Sequence, residues 1–242
     1  MDILYEDNHC LAVNKPAGLP AQGDQSGDPS LVDAVMAYLR ERYGKPGNVY
    51  VGLVHRLDRP TSGVVLVAKT SKAAGRLSAQ FRAGTVSKVY WAIVERAPHD
   101  EEGVWIDWLG KDRRNNRACL LPEGDAAGKE ARVSYRVRQR RGDRALIELR
   151  PWTGRSHQLR VQLARRGFPI LGDGKYGATT RLVAGDGRSR IALHSRELTF
   201  RHPTRQEAIV IEAPIPADWP ELSPTRPARR CGSSTPGERS SP

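Results

Sequence analysis

The chain is short of acidic residues, of paired cysteines and of long apolar runs, and each shortage narrows what it can be. Asp and Glu number 27 against 39 Lys and Arg, which leaves a net charge of +12 over 242 residues. An excess of this size points to a polyanionic partner, most often nucleic acid. Arginine recurs throughout the body of the chain and not only at its end, which argues against incidental basicity. The three cysteines, Cys10, Cys119 and Cys231, stand far apart and form no C-x-x-C pair. Neither a thiol-redox motif nor a cysteine zinc site is indicated, and a reducing cytoplasm fits best. The six histidines show no H-E-x-x-H and no i,i+4 pairing, so no metal is expected. No stretch approaches the ~18 apolar residues of a membrane span. The acidic opening MDILYEDNHC is not a signal peptide.

What remains is enough to build a core, with 38% hydrophobic residues. ILY and CLAV around EDNH predict a β-hairpin over residues 3–13. SLVDAVMAYLRERYG predicts a helix capped by Ser30, with Asp33 three residues on and Gly44 as its stop. VYVGLV (49–54) and VVLVA (64–68) predict strands on either side of HRLD. SKAAGRLSAQFRAG predicts a second helix from Ser71 to Gly84, and SKVYWAIVE (87–95) a strand. ARVSYRVRQ and RALIELR alternate around RRGD as a hairpin with one wet face. SHQLRVQLARRG (156–167) predicts a third helix with Ser156 as cap, followed by strands in IALHSRELTF and EAIVIEAP. Strands dominate without a βαβαβ rhythm, which argues for an α+β fold with a mixed, largely antiparallel sheet and flanking helices. Residues 1–219 are expected to form the folded domain. The Pro/Ser/Arg-rich segment 220–242 is expected to be a disordered tail.

Three motif matches fail on context. GVVLVAKT (63–70) approaches G-x-x-x-x-G-K-[ST], but Ala68 replaces the second Gly and Val-Val-Leu-Val prefers a strand. GDGKYG (172–177) fits G-x-G-x-x-G by letters only, since no amphipathic helix opens from it. HRLD lacks the companion motifs of a kinase.

One set of stretches agrees in order. VHRLDRPTSGVVLVAKT (54–70) resembles the H-R-L-D-x-x-T-S-G signature of RluA-type RNA pseudouridine synthases. KVYWAIV (88–94), TGRSHQLRVQL (153–163), LGDGKYG (171–177), LHSRELTFRHP (193–203) and the opening ILYEDNHCLAVNKPAGLP (3–20) continue the resemblance, which spans residues 3–215. It implies isomerisation of uridine in RNA to pseudouridine, on a fold with a central RNA-binding cleft, with no cofactor and no metal. It implies Asp58 as the catalytic carboxylate, Tyr90 in the active site and Arg160 as the partner of that Asp. It also implies that Arg56 helps fill the gap left by the flipped base. His55, Lys88 and Arg155 complete the expected RNA-binding set.

The chemistry is consistent with those residue types. Breaking a glycosidic bond builds positive charge on the sugar, which a carboxylate can stabilise or trap. A nearby arginine favours the ionised form. Whether Asp58 attacks the ribose, adds to the base or assists elimination stays open. Tyr90 can stack on the uracil or act as base at C5. Further RNA contacts are expected from KDRRNNRA (111–118), Lys72, Arg76, Arg82 and Arg165–Arg166, mainly to phosphates. Pro60 stands where the family often has an acidic residue, and Gln162 where His is frequent. Many members carry a small RNA-binding domain ahead of the catalytic one. The chain opens at the catalytic domain, so binding is expected to rest on that domain with help from the tail. The expected partner is a ribosomal or transfer RNA stem-loop, and the expected state a cytoplasmic monomer.

Overall fold

The computed structural model describes residues 1–23, 27–44, 47, 49–112, 115, 117–183 and 187–220. The expected tail lies outside them from residue 221 on, as do Arg113 and Arg114 of the basic loop. Strand β4 (Ser62–Ala68) is the axis of the first half of the molecule. Every one of its residues is buried, because both faces are covered. Val64, Leu66 and Ala68 pack on helix α2 (Ser71–Ala83) through Ala73 and Leu77. Val65 and Val67 face the other way, toward Leu31, Val35 and Leu39 of helix α1 (Leu31–Tyr43). Period-two alternation in a wholly apolar strand therefore serves two helical layers at once.

Both helices are cut where the sequence signals them. Ser30 Oγ accepts from Asp33 N while Ser30 N donates to the Asp33 carboxylate at 2.9 Å, a reciprocal capping box. Gly44 ends α1 and Gly84 ends α2, both in the left-handed conformation. The cap of α2 is Thr70, whose hydroxyl accepts from Ala73 N.

Among the described residues the main sheet has 11 strands, and β10 (Leu182–Val183) and β11 (Ser189–Arg190) pair apart from it. The hairpin β1 (Asp2–Glu6) and β2 (Cys10–Lys15) lies against β4, and β12 (Leu193–Arg201) lies on the other side of β4. Beyond β12 follow β5 (Ser87–Val94), β9 (Arg144–Pro151), β8 (Lys129–Arg141), β6 (Glu102–Asp112) and β7 (Arg117–Leu121), with β13 (Ala208–Glu212) also paired to β12. Each of these pairings is antiparallel except β4 with β12. The α+β reading with a mixed, largely antiparallel sheet holds.

Three local expectations change. Of the strand expected over 49–54, only β3 (Gly52–Leu53) forms. The register is the reason: with Gly52 opposite Ala68, residues 49–51 fall past the end of β4, and at the other end Leu66 N donates to His55 Nε2 instead of to a strand. The segment 111–118, expected to be a loop, includes the end of β6 and the start of β7, a hairpin that sequence reading did not assign. The third helix, α3 (Gln158–Arg165), starts after His157 and is not capped by Ser156. Its N-cap is His157, with no side-chain cap bond, and the Gln158 side chain instead ties down the preceding loop, its Oε1 accepting from Arg155 N at 3.1 Å and Thr153 Oγ1 at 2.7 Å.

Candidate active site

Asp58 lies in the loop between β3 and β4, and that loop is tied down from behind. Thr61 N donates to Asp58 O at 3.0 Å, and Gly18 N donates to Arg59 O at 2.8 Å. Lys15, wholly buried, adds donors from Nζ to Leu19 O (2.7 Å), Pro16 O (3.0 Å) and Arg59 O (3.2 Å). Burial pushes this ammonium down to about 7, although the charge of Asp58 works in the opposite direction. Its role is to clamp the NKPAG segment to the Asp58 loop.

The two arginines beside Asp58 in sequence serve other ends. Arg59 turns away, its Nε donating to Gly18 O at 3.0 Å and its Nη2 pairing with Asp28. Arg56 is exposed on the wall of the cleft. The guanidinium that meets Asp58 comes from α3, 102 residues on: Arg160 Nη1 donates to Asp58 Oδ2 at 3.0 Å.

Arg160 is aimed by a second carboxylate. Its Nε and Nη2 donate to Asp173 Oδ2 and Oδ1 at 2.7 and 2.8 Å, a bidentate fork. Burial opposes the Arg160 charge, but the Asp173 bonds and both carboxylate charges outweigh it and hold the guanidinium charged. Asp173 is 1% exposed, whereas the Asp58 side chain is 28% exposed and opens to solvent. The carboxylate missing near Asp58 in sequence is thus supplied by the fold, yet it is spent on Arg160 and has no access to activate a water. Gly172 makes this placement possible. Its φ is +88°, and a Cβ there would lie 2.6 Å from Arg190 O.

Tyr176 and His157 close the floor. The Arg160 guanidinium sits 5.1 Å from the Tyr176 ring centroid. The Tyr176 hydroxyl accepts from Ala118 N at 2.9 Å and shares a hydrogen bond with His157 Nδ1 at 2.7 Å. The other ring nitrogen, His157 Nε2, lies 3.8 Å from Asp58 Oδ2. Burial lowers the His157 pKa, with Asp58 opposing. His157 is also a non-glycine residue at φ 52°, a strained conformation held at the site. Sequence reading assigned no role to Asp173, Tyr176, His157 or Lys15. All four fall inside quoted stretches, LGDGKYG, TGRSHQLRVQL and ILYEDNHCLAVNKPAGLP, and that position was the available signal.

Asp58, His157 and Arg160 line the floor of a cleft of about 660 Å³. Its walls include Arg56, Arg82, Lys88 and Arg155, and with Arg160 they make five cations against one carboxylate, Asp58, among the described lining residues. Tyr90 of β5 lines the cleft, and its phenol is pushed up to about 12, by burial first and by Asp58 as well. His55 lines it too, but its Nε2 accepts from Leu66 N at 2.9 Å and its ring stacks on Phe81 at 4.6 Å. Burial pushes this imidazole down to about 3. Lys88 Nζ donates to Thr153 O at 3.2 Å, and Arg155 Nε to Glu130 O at 2.8 Å. All seven sequence-predicted site residues therefore line one cleft. Two of the expected outlying contacts are committed elsewhere. Arg166 forks onto Asp107 at 2.8 and 3.1 Å, and Arg76 donates to Pro203 O at 2.8 Å.

Asp7, Cys10 and His202 offer ligand atoms within 4.8 Å of one another, away from this cleft. They are occupied with each other. Backbone N–H groups of Thr204 and Arg205 donate to His202 Nδ1, so Nε2 carries the proton given to Asp7 at 2.5 Å. Asp7 Oδ1 accepts from the amides of His9 and Cys10 at 2.8 Å each. Burial drives the Cys10 thiol up to about 12, with Asp7 adding to the shift. The trio is a clasp between the first hairpin and the end of β12. No helix among the described residues is long and apolar enough to cross a membrane.

Comparisons with known proteins point to one family. A family model described as RNA pseudouridylate synthase matches residues 9–165. The chain is 38% identical to ribosomal large subunit pseudouridine synthase D of Xylella fastidiosa, covering 92% of this chain and 68% of that one. It is 36% identical to the uncharacterized RNA pseudouridine synthase YlyB of Bacillus subtilis, over 92% and 71% of the two chains. The solved structure of human RNA pseudouridylate synthase domain containing 4 superposes with a TM-score of 0.73 at 28% identity, covering 89% of each chain. With a carboxylate and its guanidinium partner at the floor of a cationic cleft, and matches of this extent, the chain belongs to the RNA pseudouridine synthase family, enzymes that isomerise uridine in RNA to pseudouridine.

Proposed function

We propose that Asp58 is the catalytic carboxylate and that the substrate is a uridine in a structured ribosomal or transfer RNA, unstacked into the cleft from a stem-loop. The observation that carries this reading is the chain Asp58–Arg160–Asp173, in which only the first member is open to solvent. The C1′–N1 bond breaks with positive charge building on the ribose, and Asp58 is the cleft's carboxylate for stabilising or trapping it. The uracil turns in place, C5 bonds to C1′, and the C5 proton leaves. A hydrolase would need a second free carboxylate to activate water. Asp173 is locked onto Arg160, which suits a reaction that must keep the base.

Tyr90, with its phenol near 12, is protonated at neutral pH. It serves as a stacking surface and hydrogen-bond donor to the uracil and not as a resting phenolate base. Arg56, Lys88 and Arg155 hold the RNA strand along the walls, and His55 is a neutral wall residue against which the strand packs. The extruded nucleotide costs a few kcal/mol of stacking, offset by cleft contacts. Residues 1–219 act as one catalytic domain, monomeric and cytoplasmic, with residues 220–242 as a tail. A relative named as a ribosomal large subunit enzyme supports ribosomal RNA as the first class to examine.

The test is pseudouridine mapping in cells lacking the protein, rescued with wild type or with Asp58→Asn. A site lost in the deletion should return only with wild type. Its return with the Asn variant would remove Asp58 from the mechanism, and no lost site at all would favour an RNA-binding role without chemistry.

A further inference from the structure

Trp152 stands out among the cleft residues, because it is large, apolar and 49% exposed. It follows the end of β9, and its backbone N–H donates to Arg132 O on β8 at 3.0 Å. Arg132 in turn pairs in register with Ile106 on β6. Ile106 on β6, Arg132 on β8 and Trp152 just past the end of β9 thus follow one another across the sheet. The Arg132 guanidinium covers the indole, 4.6 Å from its ring centroid, while the same indole lines the cleft that holds Asp58. Next to it in the chain, Thr153, Gly154 and Arg155 continue the cleft wall.

We propose that the Trp152–Arg132 stack is a platform for an unpaired RNA base neighbouring the target uridine. This deepens the isomerase reading of the cleft and rests on it. An exposed indole backed by a guanidinium presents a flat, polarised face at the lip of a cationic trough, the combination that single-stranded nucleic acid uses for sequence-tolerant stacking. Continuity with the Asp58 cleft and the cations along its wall favour a nucleotide over an apolar protein segment as occupant. The platform sets how the strand enters and leaves the reactive position, while the floor residues carry out the chemistry.

Titration of tryptophan emission in the full-length protein tests this, using decauridylate and an abasic ribose-phosphate strand of the same length. Wild type should be quenched by decauridylate and not by the abasic strand. Trp152→Phe should lose most of the quench while still binding, and Trp152→Ala should bind decauridylate roughly tenfold more weakly. Asp58→Asn should be quenched like wild type, which separates the platform from the chemistry. On whichever RNA the mapping experiment identifies, the Trp152→Ala loss should fall on KM and not on kcat. An undiminished quench in Trp152→Phe, or unchanged affinity in Trp152→Ala, overturns the platform and leaves the isomerase reading standing. Loss of a mapped site that depends on Asp58 is the separate readout of that reading.

Discussion

Arg160 donates to Asp58 with one arm and to Asp173 with two, so removing Asp173 strands a buried charge and frees the group that orients the reactive carboxylate. Asp173→Asn is expected to cost about 3–5 kcal/mol of stability, the usual penalty for breaking a buried pair from one side. It should also lower kcat by roughly 100-fold through mispositioning. Denaturant melts and single-turnover rates measure the two effects, and a variant with wild-type kcat would show that Arg160 needs no aiming. A second residue-scale effect concerns protons. Burial pushes His194 down to about 4 from an ordinary 6.5, and its Nδ1 shares a hydrogen bond with Ser62 Oγ at 2.9 Å. The folded pKa is depressed, so between pH 6.5 and 4 the unfolded chain takes up a proton that the fold refuses. The contribution is full above 6.5 and shrinks as pH falls. By pH 5 about 2 kcal/mol of it has been lost. Comparing unfolding free energies at pH 7.5 and pH 5 should show a smaller drop for His194→Asn than for wild type. Asp58, Tyr90 and Arg160 were legible from their motifs. That Arg160, and neither Arg56 nor Arg59, meets Asp58 follows from the resemblance but not from proximity in the chain, which favours the wrong pair.

At the scale of elements, the Thr61-Ser62-Gly63 run is where the two halves of the sheet join. Gly63 has φ +113°, and a Cβ on it would lie 2.2 Å from Ser195 O on β12. The parallel pairing of β4 with β12 brings the backbones that close. Gly63→Ala should therefore destabilise by about 3 kcal/mol or more, through both the left-handed backbone and the clash. A melting temperature within a degree of wild type would refute this account of the motif's glycine. The helices and the β8–β9 hairpin were readable because caps, glycine stops and alternation are local signals. The start of α3 was not, since its N-cap is a left-handed His157 that makes no side-chain cap bond. Strand β3 was overestimated because a strand can extend only as far as its partner, and in this register β4 ends at Ala68 opposite Gly52.

For the whole molecule, charge is concentrated where the chemistry is, with five cations and one carboxylate lining the cleft among the described residues. RNA affinity should fall steeply with salt, each phosphate contact adding about 0.7 to the slope of log K against log salt for a single strand. Arg82→Gln should reduce that slope by about 0.7 without changing the residual affinity at high salt. Equilibrium binding across a salt series checks it, and an unchanged slope would move Arg82 out of the RNA path.

The sequence by itself determined the class of partner and the α+β composition and singled out Asp58 as the candidate carboxylate, because charge excess, hydrophobic periodicity and short motifs are all written locally along the chain. Only the tertiary structure decided how Asp58 is served. Lys15 from the second strand, Arg160 from α3, and Asp173 and Tyr176 from a later turn converge on one loop. Contacts between residues a hundred positions apart depend on strand order and on the close approach that Gly63 and Gly172 permit, and neither is encoded in any single stretch.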